Sequence, residues 1–410
     1  MRLQSGGSGP DWMKDRELVL GDRAIGAGGP VFVIADVGLS HGGSLSQLCK
    51  LIDSAAQAGV DGIRVHAHRA ERLIASDPAR GESSDERDVI LRLRSAEISM
   101  ESLHRLKEHA DSRGICYLPT PSDEETADEL DQLGIPAYRI ASSDLTHIPL
   151  LRHVASKGRP VFLSTGMSYL SEVADAVWAL RSGGASEIVL MHCVASPPAP
   201  AESLNLRAIQ TLRDHFELPV GYSDHSEGAL FPLIAATLGA VVVEKTLTLT
   251  KSAEDPARVT AVEPEEMRAM VQNLRALELS LGDGRKRPAS CEEVNRVQFR
   301  RSIVAACDIR AYESVTQWML ACKRPGGGIE PGRMERLVGM QARRNLAKDR
   351  ILRWDDLAAA AGREPEGLAG LLGREFPADS SCREALEDSA FGSADFQAAG
   401  VSPQGGRRRL

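Results

Sequence analysis

From about residue 30 onward, short runs rich in β-branched residues alternate with longer stretches of helical periodicity, and this alternation limits the chain to βα architectures. Eight runs read as strands: VFVIADV (31–37), DGIRVH (61–66), ICYLPT (115–120), AYRIAS (137–142), PVFLST (160–165), EIVLMHC (187–193), LPVGYS (218–223) and AVVVEKTL (240–247). Between them the helices declare their faces. Ser44 is placed to cap a helix in which Leu45, Leu48, Leu51, Ile52 and Ala55 share one side before Gly59 ends it. A second starts near Ser99, with Leu103, Leu106 and His109 along it, and a third follows the Ser-Thr-Gly-Met turn with Leu170, Val173 and Val177. Eight units suit a closed barrel, although periodicity alone also fits an open doubly wound sheet.

A final amphipathic helix at 265–282 runs into LGDGRKRPAS, a turn-rich stretch, and from Arg300 the pattern changes to short strands and turns. The length of 410 residues accommodates both parts. The expected organisation is a tail at 1–16, a barrel domain at 17–283, a linker at 284–298, a compact module at 299–360 and a disordered Gly-, Ala-, Ser- and charge-rich tail at 361–410. A net charge of −8 argues against nucleic acid and anionic membrane as partners, while leaving room for a local cationic pocket. The seven cysteines are scattered without a C-x-x-C pair, which points to reduced thiols. With no apolar h-region near the N-terminus and no membrane-length apolar run, a cytoplasmic location is expected.

Barrels carry their chemistry at the C-terminal ends of strands, and those positions are unusually polar here. They include Asp36, His41, Arg64, His66, His68, Thr120, Arg139, Ser142, Asp144, Ser164, His192, Ser223, Asp224, His225, Glu244, Lys245 and Thr246. Two arginines and three serines on one rim suit a phosphate and a carboxylate, because guanidinium binds both in bidentate fashion and hydroxyls fill the remaining lone pairs. Either arginine alone would more often be a structural ion pair. His192 closes an apolar strand and fits an interior role equally well, and the His66/His68 spacing is weak support for a metal pair. His225, beside Asp224 just after a strand, is the stronger candidate for a metal ligand or general base.

The strings IADVGLSHGGS, AYRIASSDLTHIPLL, PVFLSTGMS, VLMHCVASPPAP, LPVGYSDHS, the later Glu-Lys, RRSIVAA and KRPGGGI together resemble the N-acetylneuraminate (sialic acid) synthase family, over residues 17–358. The resemblance implies a (β/α)8 TIM barrel followed by a small antifreeze-like (SAF) domain. It implies condensation of phosphoenolpyruvate with an aldose of the N-acetylmannosamine type to a nonulosonic 2-keto acid with release of phosphate, a divalent metal (Mn2+ or Mg2+), and a domain-swapped homodimer. Position by position, Ser142, Ser164 and Ser223 match phosphoenolpyruvate contacts, Arg139 and Arg64 stand where lysines are usual, and Thr120 matches a substrate-side threonine. Asp144 joins this substrate-binding group. His225 matches a metal-binding histidine and, with Asp36, is the expected catalytic residue. Arg324 matches the arginine that the partner's SAF domain offers to the sugar.

Departures from the family pattern fall in the site. Asp36 replaces a glutamate, His66 a glutamine, and Ala195 and Pro197 positions usually polar or aromatic; Thr246 stands where a second metal-binding histidine belongs, and Asp255-Pro256-Ala257-Arg258 replaces Gly-Pro-Asp-His. A threonine hydroxyl is a poor substitute for imidazole on a transition metal, so the implied metal is expected to be weakened or absent. Two readings follow. One is a synthase with its own acceptor sugar; the other is a diverged, catalytically impaired paralogue that binds an anionic ligand or partners an active synthase.

Overall fold

The computed structural model describes residues 18–21, 23–26, 28–39, 41–75, 84–251 and 259–359, with the side chains of 84–89 excepted. The tails expected at 1–16 and 361–410, and the altered 255–258 segment, lie outside these residues. The chain divides into two compact units at Arg285 and Lys286.

In the first unit, a hairpin of β1 (Leu18–Leu20) and β2 (Arg23–Ile25) precedes eight parallel strands. These are β3 (Phe32–Asp36), β4 (Gly62–Ala67), β5 (Cys116–Pro121), β6 (Tyr138–Ile140), β7 (Val161–Ser164), β8 (Ile188–Cys193), β9 (Val220–Asp224) and β10 (Val242–Thr246). Their hydrogen-bonded order is β5-β4-β3-β10-β9-β8-β7-β6, so the last strand pairs with the first, and β5 lies against β6 at the remaining seam. The (β/α)8 barrel expected from the eight runs is therefore what the chain forms, its first strand paired with its last and β5 brought against β6.

The caps read from sequence operate as such. Ser44 accepts from the Gln47 backbone N–H at the start of the helix Leu45–Ala58, and Gly59 ends that helix at φ 83°, a left-handed conformation that suits glycine. Ser99 accepts from Ser102 N–H in the same way ahead of Met100–Ser112. Along each strand the side chains alternate between two apolar environments. Ile63, Val65, Tyr138, Ile140, Leu190, Tyr222 and Val243 join the helix faces in one large cluster, whereas Phe32, Ile34, Leu118, Phe162, Val189, Met191 and Val242 form a separate cluster inside the barrel. Leu18, Leu20 and Ile25 of the hairpin belong to the interior cluster, so the hairpin stoppers the end where the strands begin. Its two three-residue strands are too short to stand out from loop in the sequence.

One carboxylate ties that end together. Asp61 accepts from Val33 N at 2.8 Å and Arg275 Nη2 at 3.1 Å and forms an ion pair with Arg23 Nη2 at 2.6 Å, joining the hairpin, the first barrel strand and the helix Pro264–Leu281. Burial raises its pKa despite these partners.

The second unit is built on β11 (Ser302–Ala305) with β12 (Leu320–Lys323) and β13 (Gln341–Ala342) with β14 (Leu357–Ala358), both antiparallel, around a core that includes Ile303, Ile309, Leu337 and Leu352. Asp356 is buried there; it accepts from Arg350 Nη2 at 3.1 Å and forms an ion pair with Arg344 Nε at 3.0 Å.

Period-two alternation also corrects part of the rim list. Asp224, Lys245 and His192 share the parity of Tyr222, Val243 and Leu190, so they point away from the barrel axis. Lys245 Nζ donates to Asp224 Oδ2 at 2.7 Å with both side chains fully buried, and His192 Nε2 pairs with the Leu204 carbonyl at 2.8 Å. Removing one partner of such a pair strands the other in a medium that solvates it poorly. Lys245→Met is expected to destabilise the barrel by about 3–5 kcal/mol, read as a fall in its urea midpoint; a midpoint equal to wild type would contradict this assignment.

Candidate functional site

The same alternation turns Asp36, Arg64, His66, Thr120, Arg139, Ser164, Cys193, Ser223, Glu244 and Thr246 inward at or near the C-terminal ends of their strands, above the apolar interior cluster. Strands β4, β6 and β10 supply Arg64, Arg139 and Glu244, and β3, β5, β7 and β9 supply Asp36, Thr120, Ser164 and Ser223. Alternate strands filling one level is how barrel interiors are built.

Glu244, 1% exposed, is the centre of this polar level. Arg139 holds its carboxylate in bidentate fashion, Nε to Oε2 at 2.8 Å and Nη2 to Oε1 at 2.8 Å. Arg64 Nη1 donates to Oε1 at 3.3 Å and the Ser223 hydroxyl donates to the same oxygen at 2.6 Å. Arg64 is fixed further by Nη1 to Asp36 Oδ2 at 3.2 Å and Nε to Thr120 Oγ1 at 2.9 Å, and Arg139 by the Ile140 carbonyl and by Ser164 Oγ at 3.3 Å. The result is an alternating row, Asp36, Arg64, Glu244, Arg139, in which two cations meet two anions.

Burial works against the charge on Glu244, yet the guanidinium groups of Arg139 and Arg64 outweigh it and hold the carboxyl well below its ordinary range. Burial likewise opposes the charge on Arg64, and Asp36 with Glu244 more than offsets it, raising that guanidinium further. His66, 3.9 Å from Asp36, is driven down to about 3, first by burial and then by Arg64, and is neutral at ordinary pH. His41 is lowered to about 4 by burial and by His68. Its Nδ1 accepts from Gly43 N–H at 3.0 Å, so it braces its loop, while its buried Nε2 has no partner among the described residues.

A second polar group adjoins the row. Cys193 Sγ lies 3.1 Å from Ser142 Oγ and 3.3 Å from Ser164 Oγ, and it is hydrogen-bonded to His225. Burial disfavours the thiolate, but hydrogen bonds from His225, Ser142 and Ser164 prevail and bring the thiol down to about 7. His225 is raised, burial opposing and Cys193 favouring its cation. Asp144 is raised by burial; it accepts from the Ser143 hydroxyl at 3.3 Å and feels the field of Arg64.

Asp36, Arg64, Thr120, Arg139, Ser164 and Ser223 thus form one connected net, and Ser142 and His225 join it through Cys193. Arg324 belongs to the second unit, where its guanidinium lies 5.3 Å above the Phe299 ring. One expectation needs correcting: the two guanidinium groups were read as open to an anion, whereas their shared face is taken by Glu244. The reading gave Glu244 and Cys193 no role. The signal was a glutamate of inward parity in an apolar strand, which requires a buried cation nearby. Among the described residues no acceptor is bonded to Nη2 of Arg64, which leaves that group for a ligand.

The implied divalent metal finds a poor donor set. No group of three His, Cys, Asp or Glu side chains among the described residues is arranged to hold a metal ion, Thr246 stands across the ladder from Asp36, and His225 is engaged by Cys193. His68 turns to the Leu93 carbonyl at 2.9 Å, so it does not pair with His66 as a ligand set.

Comparison with known proteins gives two family matches, the NeuB family at residues 51–286 and the SAF domain at 300–358. The chain is 40% identical to an uncharacterized protein of Methanocaldococcus jannaschii over 341 residues, 83% of this chain and 98% of the relative. It is 34% identical to the N,N'-diacetyllegionaminic acid synthase of Legionella pneumophila over 359 residues, 85% of this chain and 100% of the relative. Among solved structures, the N-acetylneuraminic acid synthetase of Leptospira borgpetersenii in complex with citrate is similar at 32% identity and a TM-score of 0.62, covering 68% of this chain and 95% of that one.

Two outcomes follow from this geometry. A carboxyl whose pKa is depressed by folding stabilises the fold above its unfolded value, and that stabilisation is lost as pH falls through the folded value. Glu244→Gln is therefore expected to cost about 3–5 kcal/mol at pH 7, and the difference from wild type should narrow as pH drops below 4.5, as followed by denaturant titration across pH. Thr246→His, which returns an imidazole to the inward face beside Asp36, should raise Mn2+ affinity by well over tenfold in calorimetry; unchanged affinity would mean that this position does not meet the ion.

Proposed function

Because the chain belongs to the NeuB family and carries a SAF domain, we propose that it condenses phosphoenolpyruvate with an N-acetylmannosamine-like aldose to a nonulosonic-type 2-keto acid, releasing phosphate. Relatives across the family are synthases of legionaminic, pseudaminic and N-acetylneuraminic acids or their phosphates, which supports the reaction class. The single observation that carries the reading is the convergence of Arg64, Ser142 and Ser164 at the strand ends, backed by the Glu244 ion cluster.

In this reaction carbon 3 of the enol attacks the open-chain aldehyde, water adds at carbon 2, and the tetrahedral intermediate expels phosphate. The protein's share is to hold charge and protons. Arg64 Nη2 and the hydroxyls of Ser142 and Ser164 are donors for phosphate and carboxylate oxygens, and Asp144 and Thr120 flank them. Glu244 keeps the guanidinium groups rigid, so the donors need no reorganisation as charge shifts. Asp36, at the end of the row and anchored by Arg64 and by Gly38 N–H at 3.0 Å, is the proton acceptor, and His225, raised by Cys193, is the proton donor. The donor set gives a divalent metal no clear seat, and none of these steps is routed through one. Arg324 of the partner subunit reaches the acceptor sugar in a domain-swapped homodimer; the KRPGGGI motif supports this assignment. Among the described residues no helix is long and apolar enough to cross a membrane.

The impaired-paralogue reading draws on Thr246 and on the Glu244 carboxylate occupying the arginines. Purified protein incubated with phosphoenolpyruvate, Mn2+ or Mg2+ and a panel of N-acetylhexosamines should release phosphate, and Arg324→Ala should raise the acceptor KM about tenfold or more with the phosphoenolpyruvate KM unchanged. Calorimetric binding of phosphoenolpyruvate with no phosphate released across the panel would favour the paralogue.

A further inference from the structure

We propose that Cys193 is a positioning residue, whose sulfur sets the Ser142 and Ser164 hydroxyls to donate to the phosphate of phosphoenolpyruvate. This rests on the reading above and adds to it a residue that makes no demand on the sugar.

The argument starts from hydroxyl geometry. A serine hydroxyl has one proton and two acceptor positions, and its proton rotates to whichever neighbour is best placed. In both serines one acceptor position is already fixed by a protein donor: Gly166 N–H reaches Ser142 Oγ at 3.1 Å, and Arg139 Nη2 reaches Ser164 Oγ at 3.3 Å. What remains is the choice of where each proton points. Cys193 Sγ is the polar atom shared by both oxygens, at 3.1 and 3.3 Å, and it is 4% exposed at the inward end of β8.

Sulfur suits this task for a chemical reason. It is large enough to touch two oxygens, one in the turn after β6 and one at the end of β7, and its hydrogen bonds to hydroxyls are weaker than those a phosphate oxygen makes. Before the ligand arrives it keeps the buried Ser164 hydroxyl and the half-buried Ser142 hydroxyl satisfied. When a phosphate oxygen arrives, that stronger acceptor draws both protons away with little lost. A small side chain at 193 would leave both rotors free, and a strong acceptor there would compete with the ligand.

The surroundings are built to the sulfur's size. A Cβ added at Gly166 would lie 2.7 Å from Cys193 Sγ, 2.8 Å from Ser142 Oγ and 3.1 Å from the Ala195 methyl. Gly166 is thus kept bare so that its N–H and the sulfur can both close on Ser142.

The test is calorimetric titration of phosphoenolpyruvate into full-length wild type, C193A and C193S, with KM measured separately for phosphoenolpyruvate and the acceptor. Two weak hydrogen bonds are at stake, so C193A should bind phosphoenolpyruvate about tenfold more weakly, C193S should recover part of that loss, and the acceptor KM should stay within twofold. In a Ser142→Ala, Ser164→Ala background the further loss from C193A should vanish, because those hydroxyls, and not the sulfur's other partner His225, carry its effect to the phosphate. C193V, which keeps the volume without a polar atom, takes the place of C193A if thermal melts show the alanine variant unfolded. Wild-type affinity in C193A, no recovery in C193S, or an equal rise in both KM values would overturn the inference and leave the proposed reaction standing. A wild type that binds no phosphoenolpyruvate would overturn both.

Discussion

The Glu244 carboxylate, buried among two guanidinium groups and a serine hydroxyl, is the interaction on which the rest of the barrel's polar end depends. An isolated carboxylate at that depth would be protonated or would unfold the strand, and an isolated arginine would be no better off. Arg139 and Arg64 are tolerable only because Glu244 and Asp36 are there, and the reverse holds equally. Such a cluster contributes little net stability over a well-packed apolar core. What it supplies is fixed direction, since each guanidinium is held by at least three acceptors and neither can swing.

That rigidity has a consequence for chemistry. Transition-state stabilisation by charge is strongest where donors are already in place and water is excluded. The row of alternating charges has no net charge of its own, so an anionic ligand meets oriented donors without falling into a deep electrostatic trap. In the proposed reaction, selectivity would rest on the hydroxyls and on Arg64 Nη2. Below this level the barrel is apolar and stoppered by the hairpin, and Asp61 clamps hairpin, strand and final helix together. Stability is concentrated at one end of the barrel and reactivity at the other.

The two ends were not equally legible beforehand. Strand and helix positions follow from periodicity, and the Ser44, Ser99 and Gly59 caps follow from local chemistry, so these are found where the sequence puts them. The hairpin was missed because three residues per strand carry no readable period. Lys245 and Asp224 illustrate a different limit. Both are charged and sit at strand ends, and only their parity with Val243 and Tyr222 shows that they brace the helix layer and do not face the axis.

The residues themselves settled the class of fold and the stock of groups at the strand ends, because alternation and capping act between neighbours a few positions apart. Family motifs added the reaction class. Which of those groups would meet was settled only by closure of the barrel. Arg139 and Glu244 lie 105 residues apart on strands that do not pair, and Cys193 meets Ser142 across 51 residues. Such contacts depend on how eight strands curve and stagger around a common axis, a property of the closed sheet that no local stretch of sequence encodes.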